Sequence, residues 1–311
     1  MIRDQSPRPA AYASAPVARP PVVSMRPPPA APAKPIVLAA TTYHDEISAT
    51  HIYWTQASYD DSGVIAHLMR APIGGGLPEL IANDASYGFV IAGDSIYYVS
   101  TPQFAIRRVS LGGGDSTLVA SSPAEPYAIA AGGGYVYWTS ARGVMRAPAS
   151  GGTAVRLGAG RAQDPIAADA EYLYIGGRKL ERIAHGETAA TTLAKFGDQP
   201  SDLVVTQPSL IIAVGSSLVS VPREGGKAER LAIGGAAHRL AHSGGTVYWT
   251  TWGDPRAQSH ECDGFQLGTV RRVDVELAAV EHVTSGCDVR GYAVGPTAAF
   301  IVDGSRLVRQ R

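Results

Sequence analysis

Tyr43, Tyr87, Tyr127, Gln163, Ser201, His238 and Arg290 obey one spacing rule. Each stands eleven residues (twelve for Gln163) before the third residue of a recurring phrase: Ile52-Tyr53-Trp54, Ile96-Tyr97-Tyr98, Val136-Tyr137-Trp138, Leu173-Tyr174-Ile175, Leu210-Ile211-Ile212, Val247-Tyr248-Trp249 and Ala299-Phe300-Ile301. Three phenols followed by amide, hydroxyl, imidazole and guanidinium groups suit ligand binding, with aromatic area for contact and a few polar groups for orientation. The adjoining position adds His44, Asp164, Asp202 and Arg239, and a long insertion after the sixth phrase brings Trp252, His260, Glu261 and Asp263. The predicted ligand-binding set is Tyr43, Tyr87, Tyr127, Gln163, His238, Arg290 and Trp252, with no catalytic residue assigned. Covalent and phosphate chemistry find no support: the chain has no P-loop, GxSxG, HExxH or CxxC. Its glycine runs at 112–114 and 132–134 lie between strand-like stretches rather than before helices, which makes them turns and not phosphate cradles.

These positions are comparable only if equivalent elements carry them, and the rest of each repeat supplies that equivalence. A short apolar stretch precedes the phrase, as in Ala128-Ile129-Ala130-Ala131 or Leu203-Val204-Val205. A stretch ending in arginine follows, such as Val144-Met145-Arg146, then a glycine pair (Gly74-Gly75, Gly112-Gly113, Gly151-Gly152, Gly225-Gly226) and a last apolar stretch like Glu79-Leu80-Ile81-Ala82. Four short runs of period-two or β-branched character between turn residues read as a four-stranded meander, with the glycines supplying positive φ for tight hairpins. Repetition at about 40 residues marks supersecondary units that bury their faces only against one another. The expected fold is all-β: a seven-bladed β-propeller of four-stranded antiparallel blades. The last repeat ends at Ser305-Arg306-Leu307-Val308-Arg309 without a fourth strand, so Ile36-Val37-Leu38-Ala39 is expected to complete it, with Val37 and Leu38 beside Leu307 and Val308. Six blades, with the C-terminal piece packed on, is the alternative.

Recurrence also separates scaffold from site. Arg70, Arg108, Arg146, Arg182, Arg272 and Arg309 repeat at one third-strand position, where Ser220 is the exception, and are expected to tie blades together. Trp54, Trp138 and Trp249 are expected to pack between blades, and Asp94 and Asp169 to shape turns. His51, His67, His185, His242 and His282 are scattered over strands and turns and carry no assignment.

In such a meander the loop between the second and third strands opens on the same face as the connection to the next blade. Cys262 lies in the sixth-blade insertion between Trp252 and Gly268, and Cys287 in the connection to the seventh blade. Both belong on one rim, which predicts a Cys262–Cys287 disulfide over the alternative of two free thiols. Closing a loop of about 25 residues in this way contributes on the order of 3 kcal/mol and implies an oxidising, extracytoplasmic compartment. Two cysteines without CxxC or histidine spacing are too few for a metal centre.

The chain is electrically balanced, with 27 Lys and Arg against 27 Asp and Glu, which gives no reason to expect nucleic acid or an anionic membrane as partner. No run of eighteen apolar residues occurs, so no membrane insertion is expected. Residues 1–34 are proline- and alanine-rich, a composition that favours a disordered, extended segment before a domain at 35–311. That segment lacks the apolar core of a secretory signal.

The Tyr-Trp-Thr phrase with its following apolar–arginine strand resembles YWTD propellers of lipoprotein-receptor type, and the unit order resembles NHL-type and streptogramin-lyase-like propellers. The resemblance spans residues 36–311 and concerns the fold. The aspartate that completes YWTD is replaced by Gln56, Ser140 and Thr251, and YWTD domains are six-bladed. Resemblance to streptogramin lyases implies a divalent metal and a metal-assisted lyase or hydrolase, for which His238, His260 and Glu261 are the candidate residues. The reading preferred is a non-enzymatic binding or scaffolding propeller, monomeric and without a cofactor. It holds a protein, peptide or glycan at the channel mouth.

Overall fold

The computed structural model describes residues 36–37, 42–60, 63–100, 103–233, 237–243, 245–252, 268–286, 289–295, 298–303 and 306–310. For Tyr43, Tyr87, His238, Trp252 and Arg290 the description extends to the backbone alone. Short β-branched and aromatic runs bounded by Gly, Asp and Pro become strands throughout, and no helix occurs among the described residues.

β1 (Ile36–Val37) is followed by β2 (Thr42–Ile47), β3 (His51–Asp60), β4 (Gly63–Pro72), β5 (Glu79–Ala92), β6 (Ser95–Ser100), β7 (Ala105–Ser110) and β8 (Thr117–Ser121). β2 to β8 form one seven-stranded sheet in chain order. The next sheet holds β9 (Pro126–Gly132), β10 (Tyr135–Ser140), β11 (Gly143–Pro148) and β12 (Val155–Arg156). Then come β13 (Ile166–Ala168), β14 (Tyr172–Gly176), β15 (Lys179–Ala184) and β16 (Thr191–Lys195), and after them β17 (Pro200–Val205), β18 (Ser209–Val214), β19 (Ser217–Pro222) and β20 (Glu229–Ile233). β21 (Ala237–Ser243), β22 (Thr246–Trp252), β23 (Gly268–Asp274) and β24 (Ala279–Gly286) make a further sheet. β25 (Val289–Gly295), β26 (Ala298–Asp303) and β27 (Arg306–Gln310) complete the series.

The head-to-tail closure is present. β1 pairs antiparallel with β27, Ile36 opposite Leu307 and Val37 opposite Arg306, giving the four-stranded order β1-β27-β26-β25. Leu38 lies outside the described residues. The first strands also touch in a ring: β2 meets β5, then β9, β13, β17, β21 and β25 in succession, and β25 returns to β2. The inner strands, most of them edge strands of their own sheets, thus surround a common centre.

Two local expectations are corrected. The fourth strand of the first unit and the first of the second are one continuous strand, β5, which runs on through Asn83-Asp84 and Gly88 and passes from β4 to β6 at Ala85. The glycine pairs do not make two-residue hairpins. Gly75, Gly113, Gly151 and Gly225 close β-turns onto Pro72, Ser110, Pro148 and Pro222, each with positive φ, and several further residues precede the next strand.

Apolar clusters lie between four-strand units: one joins the two halves of the seven-stranded sheet, and others lie between neighbouring sheets. Trp138 packs with Tyr97, Val99 and Ile106 of the preceding sheet, and Trp249 with Ile211, Ala213 and Leu218. Trp54 is likewise fully buried. Removing each such side chain from water is worth roughly 1.5–3 kcal/mol, which makes neighbouring sheets mutually dependent. The recurring arginines add a directional tie. Arg70 donates to the Leu111 carbonyl (2.6 Å), Arg146 to Glu187 (2.6 Å) and Arg182 to Arg223 (2.8 Å), always 41 residues ahead, in the next unit. Arg272 instead pairs with Glu281 of its own sheet.

Candidate functional site

The spacing rule of the mouth residues has a structural cause. Six of the seven inner strands, all but β13, shift register against their neighbour at that position: Thr42/Asp45 in β2, Ala85/Phe89 in β5, Trp138/Ser140 facing Tyr127 and Ala128 of β9, Pro200/Asp202 in β17, His238/Leu240 in β21 and Val289/Gly291 in β25. These are β-bulges, in which two residues oppose one and the extra side chain is re-aimed. Tyr43, Tyr87, Tyr127, Ser201, His238 and Arg290 are the residues at these bulges, and His44, Asp202 and Arg239 their neighbours. Gln163 and Asp164 lie in the turn just ahead of β13, which starts later than the sequence suggested. In β9 the buried Thr139 hydroxyl accepts the displaced N–H of Ala128 (3.1 Å), which gives the threonine ending the aromatic phrase a role.

Several residues at and beside the bulges tie neighbouring blades together. Asp202 accepts from the Leu203 N–H (2.7 Å) and from the Leu240 N–H of the next inner strand (2.6 Å), while Ser201 donates to the Ala237 carbonyl (2.9 Å). Asp164 is buried and accepts from Gln199 and from the Arg161 N–H, both at 2.8 Å. Glu46 accepts from the Ile91 N–H (2.8 Å) across the same ring. The carboxylates at the mouth are therefore blade-to-blade staples. Tyr127 and Gln163 differ: both are exposed and make no side-chain hydrogen bond among the described residues. Arg239 holds a left-handed φ of +52°, unusual for a residue with a side chain and consistent with a bulge that re-aims it.

Below these residues the inner strands enclose a cavity of about 800 Å³. Its wall is built from small apolar residues such as Ala128, Ala130, Ala167 and Ala241, which keep it open, with Glu46, Tyr127, Asp164, Asp202, Arg239 and His242 as the charged or titratable members. His242 is open to the cavity yet surrounded by its wall, and this desolvation lowers its pKa below 6.5.

On the opposite face Asp169 accepts from the Glu171 and Tyr172 N–H groups (2.7 and 2.8 Å), the Tyr174 hydroxyl and Arg223. Burial pushes its carboxyl up, but these donors outweigh it and hold the pKa below the usual value. His185 donates from Nε2 to the Asp169 carbonyl (2.9 Å) and accepts at Nδ1 from Tyr137 (2.7 Å). Both ring nitrogens are used in packing, so this face holds a structural network. Sequence reading assigned Asp169 to a turn but missed His185, Arg223 and Glu46, whose roles appear only in the partners they meet across blades.

Cys262, Cys287, His260, Glu261 and Asp263 lie outside the described residues. The insertion does spring from the predicted place, since Trp252 pairs with Gly268. Gly268 in turn pairs with Gly286, next to Cys287. Among the described residues no group of three or more His, Cys, Asp or Glu side chains gathers as a metal site would require.

No protein-family model matches the sequence, and no curated protein does. Solved structures do. A chain from the crystal structure of a nidogen/laminin complex superposes with a TM-score of 0.54 at 17% identity, covering 76% of this chain and 93% of that one. YCF48 bound to a D1 peptide gives 0.60 at 14% identity, covering 89% and 95%. The computationally designed Ika8 protein gives 0.57 at 11% identity, covering 89% and 99%. The nidogen/laminin and YCF48 structures are β-propellers, and this chain shares that fold.

Proposed function

We propose that the chain is a non-enzymatic binding propeller that holds a protein or peptide at the channel mouth. The observation that carries this reading is the division among the mouth residues. Asp164, Asp202 and Ser201 are consumed in tying blades together, while Tyr127 and Gln163 face solvent over the cavity. A scaffold that keeps a rigid, varied ring of side chains at an open concavity has what recognition needs. The nidogen/laminin complex and YCF48 bound to D1 peptide show the same fold carrying protein or peptide partners, which supports the reading without transferring a partner. We take the ring as seven blades, with β5 serving two of them, and the chain as a monomer. A photoreactive residue at position 127 is expected to crosslink a partner. The same residue at position 277, an exposed site in the turn between β23 and β24, is expected not to. Equal crosslinking from both, or capture that survives combined Tyr43, Tyr87 and Tyr127 to alanine changes, removes the proposal.

The Cys262–Cys287 disulfide and the oxidising compartment it implies are part of the same reading, because β22 and β23 meet the intervening segment at Trp252 and Gly268, beside the start of the inner strand β21. Its support is the pairing of Trp252, Gly268 and Gly286 at the base of both segments. Thiol titration of denatured protein purified without reductant should find no free sulfhydryl; two would end this part of the reading.

A further inference from the structure

On the mouth face, the boundary between the β9–β12 and β13–β16 sheets carries cations that the rest of the molecule does not neutralise. A cavity of about 470 Å³ opens there, with Arg161, Arg178 and Lys179 in its wall; a second, of about 490 Å³, lies on the other side of the β10–β11 hairpin beside Pro123, with Arg142 and Arg156 in its wall. All five are exposed and none has an ion pair among the described residues. Several arginines elsewhere are matched: Arg70 with Glu79, Arg182 with Glu224, Arg223 with Asp169 and Arg272 with Glu281. The chain as a whole is neutral, 27 against 27, so this concentration is not a by-product of a basic composition.

The backbone is shaped to hold these groups apart and open. β12 is cut to two residues, so the outer part of the boundary is a cleft instead of a strand. Gly160, at φ +79°, lets the connection tuck inward, where a Cβ would lie 2.4 Å from Val144. Lys179 stands directly opposite Lys195 in the β15–β16 ladder, and both are exposed. Like charges placed so are destabilising, and a local rule broken at a surface cleft marks a functional pressure. Two acids line the cleft. Asp164 is occupied by Gln199 and the Arg161 N–H, which leaves Glu181 alone against the cations. No aromatic side chain lines either cavity, so bases would find no stacking platform. Carboxylates along an extended chain fit the spacing of forked guanidinium groups.

We infer that this cleft docks an acidic peptide segment of the partner held at the channel mouth. The inference rests on the binding reading above, yet its test separates the two. With full-length protein, fluorescence anisotropy of a labelled glutamate-rich peptide is expected to report binding that weakens with salt, and the glutamine counterpart is expected not to bind. Replacing Arg161, Arg178 and Lys179 together by glutamine should weaken the peptide by about tenfold or more, with circular dichroism unchanged and the thermal midpoint not lowered. Lys195→Thr should weaken it too while raising the thermal midpoint, a combination that a purely structural lysine would not give. Tyr127→Ala should leave peptide affinity intact; its loss there instead would move acidic recognition to the channel and overturn the cleft. Equal binding of both peptides, retention in the triple variant, or displacement by an oligonucleotide at lower concentration than the peptide each overturns the inference as well.

Discussion

His242 shows how one side chain reports the enclosure of the channel. Its pKa is lowered by desolvation below the 6.5 of the free group. The unfolded chain therefore binds a proton more readily than the folded one. Stability attributable to this residue is complete above pH 6.5, declines as pH falls through 6.5, and is fully lost below the folded pKa. His242→Gln should flatten that decline in urea midpoints, and an unchanged acid profile would contradict the enclosure. Asp169 acts further down: its lowered pKa places its loss of stability as pH falls through and below 3.8. The carboxylate of Asp202 is a matching case. Asp202→Ala leaves the Leu240 N–H without its acceptor and should cost about 1–2 kcal/mol, readable in the same urea experiment.

At the scale of elements, turns and bulges set the geometry. Gly133, between β9 and β10, has φ +56°, and a Cβ there would fall 2.0 Å from the His185 ring. Gly133→Ala should destabilise by more than the roughly 1 kcal/mol typical of a strained glycine position, because it also displaces the His185 link between sheets. Wild-type stability in that variant would mean that the turn rebuilds itself. The four-strand unit was legible in the sequence through its aromatic phrase, arginine and glycines, since each recurs. The fusion of two strands in β5 and the two-residue β12 were not. Strand ends depend on which neighbour is present to accept hydrogen bonds, and no single residue records that.

For the whole molecule, the decisive contact is the smallest. β1 contributes two residues, Ile36 and Val37, yet they complete the sheet that joins the end of the chain to its beginning. A chain starting after Val37 should retain its inner-strand ring but expose β27 as an edge. It should melt earlier and over a broader range by calorimetry, whereas an identical melt would show that closure adds nothing to stability. The apolar clusters between units explain the expected cooperativity, since no unit buries its own faces.

Periodicity alone determined the repeating unit, the strand character, the closure by the N-terminal strand and the positions facing the channel mouth, because these follow from local spacing that every repeat restates. Only the tertiary structure decided that the mouth residues sit on β-bulges, that Asp164 and Asp202 are spent on neighbouring blades, and that Lys179 meets Lys195 beside an open cleft. Those facts arise between segments distant in the chain. A hydrogen bond across blades, or a repulsion across a ladder, exists only once folding has brought both partners to one place.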